Sequence, residues 1–145
     1  NDDNARHLLF TSLYYNILPK PALKAGINYQ FITFKNQVPT IYFSPERFNA
    51  VEIFVNLIKN EAITKPKEWY YELTAAKGLQ FINNDKSQGT YRIQGKLGYM
   101  FSDRALLNLY GTRSNIASAT AAGFTFNEIG IRFKWYLMNK PVFRE

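Results

Sequence analysis

The chain has 145 residues, no Cys, a net charge of +7, and 46% hydrophobic and 17% aromatic residues. One domain, 1–145, fits that length; disulfide frameworks and thiolate metal sites are excluded; no apolar run approaches the roughly 18 to 20 residues of a spanning helix. Ten Tyr, twelve Phe and two Trp bring strong strand propensity, and the composition reads all-β. The opening Asn1-Asp2-Asp3-Asn4 lacks a signal-peptide pattern and reads as a mature or truncated end.

Alternation with period two dominates the sequence. The first segment, about Arg6 to Leu18, is apolar on both faces and leaves its register open. Pro19-Lys20-Pro21 makes a tight turn. From Leu23 to Thr33 one face carries Leu23, Ala25, Ile27, Tyr29 and Phe31, and the other Lys24, Gly26, Asn28 and Gln30. A long link, Lys35 to Arg47, follows, with room for a further strand around Val38 to Phe43. Val51, Ile53, Val55 and Leu57 then alternate with Glu52, Phe54 and Asn56.

After an intermediate link, Asn60 to Glu68, Trp69, Tyr71, Leu73 and Ala75 alternate with Tyr70, Glu72 and Thr74. Lys77 breaks that phase beside Gly78 and suggests a bulge there. Asn83 to Gln88 leads into the cleanest strand. In it Tyr91, Ile93, Gly95, Leu97, Tyr99 and Phe101 oppose Arg92, Gln94, Lys96, Gly98 and Met100. Ser102-Asp103 turns tightly into Ala105, Leu107 and Leu109 against Asn108, Tyr110 and Thr112. Beyond Ser114 to Ala122, Ile129, Ile131, Phe133, Trp135 and Leu137 oppose Gly130, Arg132, Lys134 and Tyr136. A helix with this pattern would carry charge around its whole surface, so strands are expected.

Seven strands of roughly 11 to 14 residues exceed the usual five or six of soluble proteins and match the 9 to 11 that a tilted membrane strand needs. Longer links alternate with shorter ones, as outer-membrane barrels require. Aromatics gather at strand ends, with Tyr91 at one end against Tyr99 and Phe101, and Phe81 against Trp69 and Tyr71. At about 3.3 Å per residue and a tilt near 40°, eight to ten residues span roughly 20 to 25 Å, the spacing of two aromatic girdles. The expected fold is an all-β, antiparallel up-and-down transmembrane barrel of the bacterial outer membrane. Open edges are costly in lipid and single-chain barrels have even strand counts. The chain is therefore expected to be part of a larger barrel, its upstream strands lying before Asn1, unless the eighth strand lies around Val38 to Phe43.

Tyr42-Phe43-Ser44-Pro45, followed by Arg47-Phe48 and a new strand, resembles a feature of the C-terminal outer-membrane domain of the bacterial cellulose-synthase operon export protein and related tetratricopeptide-repeat exporters. The resemblance rests on about ten residues plus the strand layout from Leu23 to Leu137. It implies a barrel of roughly twice this strand count, an upstream periplasmic helical-repeat domain, and passage of a polysaccharide chain. The sequence departs from that pattern in having no repeat helices and in ending on Asn139 to Glu145 without a terminal aromatic.

The inward charges Lys24, Arg92, Lys96, Arg132 and Lys134, with Glu52, Glu72 and Glu128, are read as a polar, net-basic lumen for a hydrated or anionic chain. The plainer alternative is that any barrel interior needs paired polar residues. Tyr70, Tyr110 and Tyr136 offer rings that could stack on sugars, or could simply fill space. Tyr42 to Pro45 serve either as a constriction folded into the pore or as a turn at an aromatic belt. His7, the single His, has no nucleophile or acid placed with it, so neither catalysis, a metal nor a cofactor is expected. Lys and Arg are scattered, with one local cluster at Lys65 and Lys67, so nucleic acid is not an expected partner. Outer-membrane lipid is. A soluble lipocalin-like binding barrel and a plugged outer-membrane anchor remain as competing readings.

Overall fold

The computed structural model describes residues 5–36, 44–59, 67–83, 85–102, 104–116 and 125–137. They form seven strands: β1 (Arg6–Pro19), β2 (Ala22–Phe34), β3 (Arg47–Lys59), β4 (Trp69–Ile82), β5 (Gln88–Ser102), β6 (Ala105–Ser114) and β7 (Phe126–Trp135). All pair in one antiparallel sheet whose spatial order is the chain order. No helix is present among the described residues. The possible strand at 38–43 lies outside them, as do Asp2, Asp3, Lys65, Asp103 and the segment 138–145.

The strands are long because their alternation runs uninterrupted. Asn49, Phe48 and Arg47 extend β3 ahead of Val51, and Ala76 to Ile82 extend β4 past Ala75. The β3–β4 ladder continues through Ile53↔Lys77 and Glu52↔Gly78 without a register shift. The bulge expected near Gly78 is therefore absent, and Lys77 points to the same face as Leu73 and Leu79. Register shifts occur instead beside the two tightest turns, between Asn16 and Leu18 and between Met100 and Ser102. The Lys20–Pro21 peptide in the first of these turns is cis.

Up-and-down topology puts links 20–21, 60–68 and 103–104 at one end of the sheet, called here the turn end. Links 35–46, 83–87 and 115–125 lie at the other, the loop end. The seven strands do not close on themselves: the outer edges of β1 and β7 have no strand partner among the described residues. A closed barrel made by these strands alone is thus not what the chain forms.

The two faces differ in composition and in burial. One face carries the buried side chains Ile32, Phe48, Ala50, Met100 and Leu106 together with buried Asn28, Glu52, Asn56, Gln80, Thr90 and Asn108. Phe48 is 0% exposed although the sheet is a single layer. Ile116, beyond β6, packs with Ile82 against the Phe48 cluster, and burial along this face beside the exposure of the other fits a sheet curled toward it. The opposite face diverges: Leu13, Ile53, Ile93, Ile131 and Phe133 stand 58% or more exposed.

Candidate functional site

The inward-curling face gathers the polar residues, and register explains how. Because side chains alternate, directly paired residues share a face. Lys24 pairs with Asn56, Glu52 with Gly78, Glu72 with Lys96 and Tyr70 with Gly98. Lys96 pairs in turn with Tyr110, Asn108 with Arg132, Thr112 with Glu128 and Leu106 with Lys134. Arg92 sits four residues before Lys96 on β5 and so shares its face. Tyr136, just beyond β7, packs on Tyr70, Met100 and Leu106. All eleven polar and aromatic residues read as inward from the sequence therefore share one face. Of the family-like segment, Tyr42 and Phe43 lie outside the described residues, while Ser44 and Pro45 are buried.

The polar side chains are cross-linked between neighbouring strands. Ser12 Oγ donates to Asn28 Oδ1 (2.8 Å), Asn56 Nδ2 to Thr74 Oγ1 (2.8 Å), and Gln80 Nε2 to Gln88 Oε1 (3.0 Å). Arg92 reaches across β4, over the small Ala76 and Gly78, to place Nη2 at 3.1 Å from Glu52 Oε2. Four buried polar atoms on this face, Glu52 Oε1, Thr90 Oγ1, Arg92 Nε and Asn108 Oδ1, have no protein partner. Buried polar atoms in folded proteins are almost always satisfied, and water or a polar guest on this face would complete these four.

A repeated trio organises the aromatics. Tyr14, Tyr70 and Tyr110 each pair directly across the ladder with a glycine, Gly26, Gly98 and Gly130, and the Tyr70 and Tyr110 rings lie over theirs. A Cβ on Gly98 or Gly130 would collide with the Tyr ring, whereas one on Gly26 would first meet the Leu13 carbonyl oxygen and then Tyr14 Cβ and Cα. A cation two residues from each glycine sits over the same ring: Lys24 Nζ at 5.4 Å, Lys96 Nζ at 5.5 Å and Arg132 Cζ at 5.5 Å from the ring centres. Three cations expected in the lumen are thus held on Tyr rings by cation–π attraction. Tyr70 is only 8% exposed, so it fills space and has little ring left for a sugar; Tyr110 and Tyr136 are half-buried and keep more. Sequence reading missed Tyr14 as the third member, because its strand was apolar on both faces and its register open.

The other face has the complementary design. Its middle band is aliphatic: Leu13, Ile27, Ile53, Val55, Leu73, Ile93, Leu109 and Ile131. Aromatics mark its turn end, where Trp69, Tyr99 and Phe101 form a chain of rings with centres 4.7 and 4.9 Å apart, and Phe133 and Trp135 another. Tyr29, Phe31, Phe81 and Tyr91 mark the loop end. Among the described residues, nothing covers this face.

These features define a class: a curled antiparallel meander, polar within and apolar without. No protein-family model, curated protein or solved structure matches the chain. Among the described residues no three His, Asp or Glu side chains converge as a metal site would require.

Proposed function

We propose that this chain is a sector of a bacterial outer-membrane β-barrel whose polar inner face conducts an exopolysaccharide. The observation that carries the reading is inverted polarity. The buried face holds Glu52, Asn56, Gln80 and Asn108, while Ile129, Ile131 and Leu13 stand 73 to 86% exposed on the other. In water, exposed apolar patches beyond a few hundred Å² are rare; in lipid this is the required arrangement. A soluble lipocalin-like barrel needs the reverse, an apolar interior and a polar exterior.

Topology supports a larger barrel. With seven strands, β1 and β7 both run from the loop end to the turn end. Antiparallel closure therefore takes an odd number of further strands between them, giving the even total of bacterial barrels. Two copies of this sheet in the same membrane orientation would meet at parallel seams, so upstream strands of the same polypeptide are the better partner. The resemblance to cellulose-type exporters, with their periplasmic repeat domain, points the same way. A neutral, hydroxyl-rich chain suits a lumen with unpaired Glu52 Oε1, Thr90 Oγ1 and Asn108 Oδ1 and with Tyr110 and Tyr136 available for ring contacts.

A second reading, a plugged anchor without transport, is favoured by apolar packing at both ends of the inner face. Ile32, Phe34, Phe48 and Ala50 cluster at the loop end, with Ile82 and Ile116 against them, and Tyr70, Met100 and Leu106 at the turn end. Planar-bilayer recordings of the intact protein separate the two. Steady single-channel current reduced by added glucan oligosaccharide supports conduction; a folded, inserted barrel that passes no current supports the anchor. Monodisperse folded protein in buffer without detergent would overturn both.

A further inference from the structure

Charge on the apolar face is asymmetric. Every carboxylate carried by the seven strands, Glu52, Glu72 and Glu128, points inward. Of the outward cations on the strands, Lys59 is at the turn end and Arg47, at the start of β3, lies over the Phe31 ring; Lys77, just past the middle of β4, and Arg113, near the end of β6, flank Tyr91. Lys77 pairs directly with Tyr91, and Arg113 Nε donates to Tyr91 Oη at 3.3 Å. Two strand spacings separate the cations, on the order of 10 Å, and neither has a carboxylate partner among the described residues. The cost of a cation on a lipid-facing surface is greatest at mid-depth and falls toward the interface. Arg113 stands at the end of β6, and the long Lys77 stem can carry its ammonium outward.

One step along the strands from Arg113, the apolar face has a hollow of about 550 Å³ lined by Leu73, Leu97, Leu109 and Ile129. It exists because Gly95 and Gly111 are paired directly opposite each other. These glycines differ from Gly26, Gly98 and Gly130. A Cβ at Gly95 would meet only Leu73 Cδ2 at 3.6 Å, and one at Gly111 only Glu128 O at 3.5 Å and Ile129 Cγ1 at 3.9 Å. Those are ordinary contacts, so nothing in the chain itself demands glycine there. Glycine weakens a strand interior and often marks the close approach of something else.

We propose that this surface binds one anionic membrane phospholipid, its phosphate on Lys77, Tyr91 and Arg113 and an acyl chain in the Gly95–Gly111 hollow. The inference rests on the membrane reading above. The two observations are independent, since one concerns charge and the other shape, and they adjoin along β5 and β6.

The test is lipid selectivity of the intact protein in vesicles. Spin-labelled phosphatidylglycerol and phosphatidylcholine are compared for immobilisation in phosphatidylcholine bilayers. Native protein is expected to prefer the anionic label about tenfold. The pair K77Q/R113Q removes that preference while the protein still inserts; K59Q, an outward cation at the turn end, leaves it in place. The pair G95V/G111V, which fills the hollow with a good strand former, keeps the charges and reduces immobilisation of both labels. Insertion with K77Q/R113Q as selective as native protein, or G95V/G111V holding lipid as native does, overturns the proposal and leaves the barrel reading intact. Failure of native protein to insert into either bilayer overturns both.

Discussion

Replacing Ile27 with Arg separates a lipid-facing surface from a water-facing one by its cost. Ile27 is 49% exposed at the middle of β2, between Leu13 and Ile53 in a row of outward residues whose next member, on β4, is Lys77. No carboxylate lies in that row to offset a new cation. At mid-bilayer depth an outward Arg costs about 2 to 4 kcal/mol, a shift of roughly 30- to 900-fold in the folding equilibrium. On a water-exposed surface the same change costs within about 0.5 kcal/mol. The inward control is Gln94→Arg, on a half-buried polar position paired with Thr74 and Thr112, for which a cost under about 1 kcal/mol is expected if the face is wetted. The assay is reversible urea unfolding of vesicle-inserted protein, followed by Trp fluorescence. An Ile27→Arg protein within 0.5 kcal/mol of the parent, or one less affected than Gln94→Arg, would refute the assignment of faces.

Three further outcomes are expected. Gly98→Ala should destabilise by about 1 to 3 kcal/mol, because its Cβ strikes the Tyr70 ring, whereas Gly111→Ala should be close to neutral; in a Tyr70→Ala background the Gly98 cost should largely vanish, as read from urea midpoints. Glu52→Gln, which leaves Arg92 without its counter-charge at a site only 7% exposed, should cost about 1.5 to 3 kcal/mol; a loss under about 0.5 kcal/mol would class the pair with surface ion pairs. If the barrel conducts, inward Lys24, Arg92, Lys96, Arg132 and Lys134 outweigh Glu52, Glu72 and Glu128. Reversal potentials in a KCl gradient should then show anion preference, reduced or reversed by Lys96→Glu with Lys134→Glu.

Strand number, faces and chain-order pairing were legible in the sequence because period two is a local signal. Tyr91 to Phe101 needs no partner to declare which residues go together. Lys77 shows where the signal misleads. An outward charge looks like a break in phase, and a bulge is the economical local explanation, yet the ladder to β3 runs straight through it. Outward Lys77 becomes sensible only once Tyr91 and Arg113 are seen beside it. The Tyr–Gly–cation trios were hidden for the same reason. Tyr70 and Gly98 lie 28 positions apart in the chain and meet only when the β4–β5 register is known. The β1 strand was unreadable because Leu8, Phe10 and Tyr14 are inward and Leu9, Leu13 and Tyr15 outward, so hydrophobicity alone does not tell its faces apart. The curl of the sheet, and the packing of Ile116 on the Phe48 cluster from beyond β6, have no local signature at all.

Accessibility along β5 tests the central claim most directly. The chain has no Cys, so single Cys replacements at each position from Arg92 to Leu97, and at Tyr99 and Phe101, can carry a nitroxide in the membrane-inserted protein. Labels at Ile93, Leu97 and Phe101 should collide with oxygen dissolved in the bilayer. Labels at Gln94 and Lys96 should collide with a water-soluble nickel chelate, and the alternation should repeat every second residue. Equal access of the nickel chelate to both sets, or the opposite alternation, would contradict the account.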